Sequence, residues 1–343
     1  MLKSFASDNN SGIHKCILES INQCNTNDYI SYGSDPYTKE AEELFREVFG
    51  REIEVFFMLT GTGANICALQ SITDRFNAII CPSTAHINVD ECGAIEHSLG
   101  VKIIGIDTAN GKLNVSHIDK YLNFKGDQHH VQPKVISITQ ATELGTVYTI
   151  KELENIVSYA KLNGFKVHVD GSRLSNAAVY LNCSLKNLTS DIGIDVLSFG
   201  GTKNGMMLGE AVVIFDKNDA ANFRFIRKQN MQLVSKMRFI AAQFIPYLKE
   251  ELWYTNAKQA NEMALLLYEK LKENCGEILM GKPESNAVFV KLDKAIAEEM
   301  QKERFFYSWD EEAKIYRFMT SFDMNKDDVE EFVGFCKQLT IDN

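Results

Sequence analysis

Short, nearly continuous apolar runs punctuate the first two thirds of the chain, with segments of helical spacing between them. The runs cover residues 54–59, 78–81, 101–106, 133–138, 165–169, 195–199 and 210–215. Between the fourth and fifth, Leu153, Ile156, Val157 and Ala160 recur at helical spacing, with acids early and lysine late. Strand–helix alternation of this kind predicts an α/β fold with a mostly parallel sheet, both faces covered by helices, because its strands lack the polar alternation of a half-exposed sheet. The run at 210–215 follows its predecessor too soon for a crossover helix, so an antiparallel strand is expected there. Helical patterns dominate from Asn218, including a long stretch over 253–274. Strands are expected at 286–292 and 315–320, with a closing helix through Val329, Phe332, Val333 and Cys336.

Composition narrows the function classes. A chain of 343 residues with formal net charge -10 repels polyanions, so neither nucleic acid nor an acidic membrane face is an expected partner. No run approaches the ~18 apolar residues of a membrane helix, and the start of the chain shows no secretory pattern. A cytoplasmic protein is expected. The eight cysteines form no CxxC pair and read as reduced thiols. His129-His130 lies in a polar loop at 123–132; adjacent histidines point apart, so a solvated loop rather than a metal site is expected.

Three segments carry chemistry. Thr60-Gly61-Thr62-Gly63-Ala64-Asn65 follows a strand and opens a helix, where unpaired amides and the positive dipole end can cradle a phosphate. A plain strand-to-helix turn would give the same pattern. Ile66 at the sixth position argues against a dinucleotide fingerprint, and the loop lacks the lysine of a Walker motif. Asp170, in Val167-His168-Val169-Asp170-Gly171-Ser172-Arg173, sits at the C-terminal end of a buried strand, where open α/β sheets bind ligands. Arg173 could be no more than its structural counter-charge. Lys203, in Phe199-Gly200-Gly201-Thr202-Lys203-Asn204-Gly205, stands on a glycine-flanked turn after the next strand. A phosphate cradle, a strand-end carboxylate and a following lysine are together what pyridoxal 5'-phosphate (PLP) requires: an anion site, an amine, and an acid that keeps the pyridine nitrogen protonated.

The chain resembles the threonine aldolase and β-eliminating lyase family of fold-type I PLP enzymes. The likeness is carried by Ser7-Asp8-Asn9, Tyr32-Gly33-Ser34-Asp35-Pro36, residues 60–65, His86-Ile87-Asn88, Glu91-Cys92-Gly93-Ala94, Thr142-Glu143-Leu144-Gly145-Thr146-Val147, residues 168–176 and residues 199–205. It implies an aminotransferase-like fold with a seven-stranded, mostly parallel central sheet. A large PLP-binding domain with an N-terminal arm is expected over 1–252 and a smaller α/β domain over 253–343. Lys203 would hold PLP covalently, Asp170 would pair with the pyridinium nitrogen, and Gly61 and Thr62 would bind the phosphate. His86 would stack on the ring, Ser7, Arg173 and Arg317 would hold the substrate carboxylate, and Arg173 would also touch the oxygen of the cofactor ring. Arg227, Lys228 or Arg238 would reach the phosphate from a neighbouring subunit of a homotetramer built as a dimer of dimers.

Three departures stand out: Glu143 occupies the place of a common histidine, Ala6 that of a common arginine, and the segment around Met231 to Met237 is longer than in the commonest relatives. The implied reaction is retro-aldol cleavage of a β-hydroxy-α-amino acid such as L-threonine or L-allo-threonine to glycine and an aldehyde, with His86 or Glu143 as the base. A β-eliminating or decarboxylating PLP lyase acting on aromatic or sulfur amino acids is the alternative. A catalytically silent binding module would be favoured by loss of the lysine or the aspartate, and both are present. A dehydrogenase would leave Lys203 without a role.

Overall fold

In the computed structural model, which describes residues 3–275 and 278–341 with the side chains of 340 and 341 excepted, seven strands form the larger sheet. They are β1 (Glu54–Met58), β2 (Asn77–Pro82), β3 (Lys102–Ile106), β4 (Gln132–Thr139), β5 (Lys166–Gly171), β6 (Val196–Gly200) and β7 (Glu210–Ile214), in the spatial order β1-β7-β6-β5-β4-β2-β3. The pairs from β3 through β6 are parallel, and β7 runs antiparallel to both of its neighbours. The expected antiparallel β7 is therefore present, and the expected seven-stranded, mostly parallel sheet is the one observed.

Every residue of β2, β6 and β7 is buried, because helices cover both faces. Side-chain alternation sorts the strands between two cores. On one face Met58, Val196, Val212 and Ile214 pack with Ala64, Cys67 and Ala68 of the helix Gly61–Ser71. On the other, Phe57 and Phe199 meet Phe45, Phe49 and Phe244 from the helices Pro36–Phe49 and Arg238–Lys249 in a set of mainly edge-on ring contacts. The expected helix with Leu153 and Ile156 inside runs Ile150–Leu162; Thr149 and Glu152 exchange side-chain-to-backbone bonds across its first turn.

The smaller sheet has β8 (Ala287–Lys291), β9 (Tyr307–Asp310) and β10 (Ile315–Met319) in the antiparallel order β8-β10-β9. The periodicity foresees β8 and β10 but not β9, a four-residue edge strand with no fully buried position and so no apolar run to reveal it. The long helix Leu252–Cys275 and the closing helix Lys326–Ile341 pack against this sheet. Phe5 is buried in the same cluster and stacks on Phe332 at 4.1 Å. Its amide bonds Phe305 and its carbonyl accepts from Met319. The N-terminal segment thus crosses to the C-terminal lobe and ties it down.

Candidate active site

The chemistry-bearing groups gather where the parallel strands end, the usual ligand edge of an open α/β sheet. Gly61 and Thr62 follow β1, His86 follows β2, Glu143 follows β4, Asp170 closes β5, and Lys203 follows β6. Three of these connections are tight for steric reasons. A Cβ at Gly200 would sit 2.8 Å from the Ser172 backbone, and one at Gly171 would lie 2.7 Å from Leu197. Gly205 has φ 98° and would drive a Cβ to 2.6 Å from Asn256. The Lys203 turn is anchored from behind by Asn204, whose Nδ2 donates at 2.9 Å to both the Tyr247 hydroxyl and the Trp253 carbonyl.

Asp170 is buried, and each of its oxygens is engaged. Oδ1 accepts from the Ser172 amide at 3.0 Å and hydroxyl at 2.6 Å, while Oδ2 accepts from Asn65 Nδ2 at 2.9 Å. Burial works to raise its pKa, but the Ser172 and Asn65 bonds and the Lys203 charge outweigh that and hold the carboxyl below its ordinary range. Beneath it, His168 spans three strands, contacting Ser137 at 2.9 Å and Ser198 at 3.0 Å. Burial pushes this imidazole down to about 4, so it is neutral and structural.

Asn65 also donates to Glu91 Oε1 at 2.8 Å, and the same oxygen meets His86 Nδ1 at 2.8 Å. One side chain therefore links the carboxylate of Asp170 to the pair that orients His86. The Glu91 contact raises the His86 pKa, against a partial opposing effect of burial. The His86 amide and the Thr139 hydroxyl both donate to Glu143 Oε1 at 2.8 Å. Glu143 Oε2 is buried with no hydrogen-bond partner, and burial raises the pKa of this carboxyl.

The helix Gly61–Ser71 begins with Thr60, whose hydroxyl accepts from the Gly63 amide at 3.1 Å. A Cβ on Gly61 would meet nothing within 4 Å, so the space before the cradle is open. Gly63 has another reason to be bare: a Cβ there would lie 2.3 Å from Gln232, which takes the Leu59 amide at 3.0 Å.

On the opposite wall, Arg173 does not neutralise Asp170, the structural alternative considered for it. Its Nε and Nη2 donate at 2.8 Å to Oδ2 and Oδ1 of Asp8, which also accepts from Asn286 Nδ2 at 3.0 Å. Ser7 caps the short turn Asp8–Asn10, its hydroxyl accepting from the Asn9 amide at 3.2 Å. Arg317 lies on the central strand β10, between Phe289 and Tyr307, with its guanidinium 5.2 Å from the Trp309 ring centre. Its Nε is buried without a partner, and no ion pair to it occurs among the described residues. Burial, reinforced by the nearby Arg173 charge, lowers its pKa to about 10, so it remains cationic at neutral pH.

Arg227 stacks on Phe56 at 5.4 Å, Lys228 stands 5.3 Å over the Tyr32 ring, and Arg238 stands 5.4 Å over Tyr29. None of the three makes a hydrogen bond or ion pair with the cradle among the described residues. His130 is half exposed and stacked on Phe124, and no metal-ligating cluster is found among the described residues. Asn65, Glu91, Asp8 and Asn286 belong to the site although sequence reasoning gave them no role. Asp8, Asn65 and Glu91 lie inside matched stretches, where that placement was the available signal; Asn286 offered none.

Comparison with known proteins places the chain in a family. The model of the family described as beta-eliminating lyase matches residues 4–295. This chain belongs to the beta-eliminating lyase family. Within the family it is similar to a low specificity L-threonine aldolase of Pseudomonas aeruginosa, with 40% identity over 331 residues, 96% of this chain and 95% of the relative. The structure of the Leishmania major threonine aldolase superposes with a TM-score of 0.93 at 30% identity, covering 98% of this chain and 99% of that one. An alanine–glyoxylate aminotransferase from Nostoc sp. shares the fold at a TM-score of 0.72 and 12% identity, covering 99% of this chain and 95% of that one. The aminotransferase-like architecture that the sequence resemblance implied is the one observed.

Proposed function

We propose that this protein is a PLP-dependent low-specificity L-threonine aldolase, cleaving L-threonine and L-allo-threonine to glycine and acetaldehyde. The observation that carries the reading is Arg317, a largely buried cation near Arg173 that has no ion pair among the described residues. Such a guanidinium is costly unless a ligand carboxylate joins it.

The residues fit the cofactor. Lys203 supplies the amine, Asp170 an ionised carboxylate for the pyridine nitrogen, Gly61 and Thr62 an open helix N-terminus for the phosphate, and His86 a flat imidazole for the ring face. When bound, PLP supplies the electron sink for the pair released as the Cα–Cβ bond breaks. Arg317 orients the substrate through its carboxylate. Arg173, already neutralised by Asp8, contributes donor geometry rather than net charge, and Ser7 positions that pair.

Between the two candidate bases, the surroundings favour Glu143. Glu91 holds His86 toward its protonated form, and an imidazolium has no lone pair with which to take a proton. Glu143 keeps Oε2 free while Oε1 is saturated, and its raised pKa makes it a better base than an ordinary carboxylate. It therefore receives the β-hydroxyl proton at Oε2, directly or through one water, and His86 orients and stacks.

We further place the lobe boundary between residues 252 and 253, supported by largely separate apolar clusters on either side, with Phe5 crossing one way and Trp253 and Tyr254 the other. A homotetramer built as a dimer of dimers is supported by exposed Ile30, Tyr32 and Met231, apolar surface beside the cationic Lys228. In such an assembly Arg227, Lys228 or Arg238 of one subunit would serve a neighbour's phosphate. A cytoplasmic location is supported by the eight cysteines, none of which is in a disulfide among the described residues.

The test is to supply purified, PLP-loaded protein with L-threonine and trap acetaldehyde. Release of pyruvate and ammonia from L-cysteine, without aldehyde from threonine, would favour the β-eliminating alternative instead.

A further inference from the structure

Glu210 is the acid in the ligand edge of the sheet to which the proposed reaction gives no part. It opens β7, opposite Gly200 on one side and Met58 on the other. Alternation puts its side chain on the same face as Val212 and Ile214, the face that carries Asp170 on β5 and packs under the helix Gly61–Ser71. Its Oε2 accepts from the Gly201 amide at 3.2 Å, and the Thr202 hydroxyl bonds the carboxyl as well. That hydroxyl also accepts from the Gly209 amide at 3.1 Å. A Cβ on Gly200 would come within 3.1 Å of the same Oε2, so glycine there is what lets the acid tuck under the turn. Lys203 is the next residue after this doubly held pair.

We infer that Glu210 is a positioning residue for Lys203: its carboxyl holds the Gly201 amide at the base of the turn that presents the lysine, and it sets a carboxyl beside that turn. The inference rests on the PLP reading above. The charged and titratable groups facing Glu210 are Lys203, Asp170 and Tyr247. Burial raises its pKa to about 7, against the Thr202 bond and the Lys203 charge. The carboxyl therefore changes charge in the neutral range. Once protonated it no longer sets a negative charge beside the lysine.

The experiment is a pH titration of the visible absorption of PLP-loaded wild type and Glu210→Gln, with an infrared titration of the carboxyl stretch on both proteins with and without PLP. The amide keeps an acceptor for Gly201 and removes only the charge. We expect the absorption midpoint of the variant to fall by about one pH unit, a tenfold change in the proton equilibrium. A protonated-carboxyl band should disappear through neutrality in the wild type and be missing from the variant. Glu210→Ala, which also removes the acceptor, should hold PLP more weakly than Glu210→Gln. Superimposable absorption titrations, or no wild-type carboxyl band titrating near neutrality, would overturn the inference while leaving the cofactor reading intact. A wild type that takes up no PLP would overturn the cofactor reading itself, and the infrared titration without PLP would still report whether Glu210 changes charge.

Discussion

Arg173 and Asp8 meet through two parallel hydrogen bonds of 2.8 Å each, joining the start of the helix Leu174–Leu181 to the N-terminal segment. Both side chains are largely buried, so neither can lose the other without leaving an uncompensated charge. Asp8→Asn should therefore destabilise the fold by about 3–5 kcal/mol. The Asp8 pKa lies below its ordinary value: burial raises it, but the Arg173 charge and bonds prevail. Its stabilising contribution is thus present above the ordinary carboxylate pKa and is lost as pH falls through the lower folded value. Denaturant titrations across the acid range should show this loss in the wild type and not in the variant. An unchanged midpoint at neutral pH would contradict the account.

Lys203→Ala should abolish covalent retention of PLP and turnover together. Borohydride reduction of the wild type followed by peptide mapping should label Lys203, and a label on any other lysine would refute the assignment.

Asp170→Asn keeps an acceptor for Ser172 but removes the charge. Activity should drop by orders of magnitude while the melting temperature changes little. The reverse pattern, a marked loss of stability with turnover per folded molecule preserved, would make Asp170 purely structural.

The acid limb of the kcat/KM profile should report Glu143. Its pKa is raised by burial, and the base form exists only above it, so activity should rise as pH climbs through a midpoint above the ordinary carboxylate range. Glu143→Gln should remove most of the activity and this limb with it. Glu91→Gln removes the contact that raises the His86 pKa and should lower that pKa, as read by imidazole NMR shifts. If Glu143→Gln retained the limb and near-normal activity, the base would have to be sought elsewhere.

Arg317→Ala should raise KM for every amino-acid substrate by a similar factor, because it removes a contact to the shared carboxylate. The absorption of bound PLP should stay as in the wild type. Loss of the cofactor on this substitution would show that Arg317 supports the PLP site instead.

The primary structure by itself determined the layers and the reactive groups. Continuous apolar runs could become only doubly covered strands, and the short link before Glu210 could become only an antiparallel return. Asp170 and Lys203 were legible because each follows an apolar run at a strand's C-terminal end, a position set by local pattern. Tertiary structure decided the pairings. Asp8 and Arg173 are far apart in the chain, and only the crossing of the N-terminal segment to the smaller lobe brings them together; with Asp8 taken by Arg173, no ion pair to Arg317 occurs among the described residues. Asn65 joins Asp170 to Glu91 and His86 because the sheet order brings the ends of β1, β2 and β5 to one edge. Which buried charge is answered by which partner depends on distances across the sheet, and these have no counterpart in spacing along the chain.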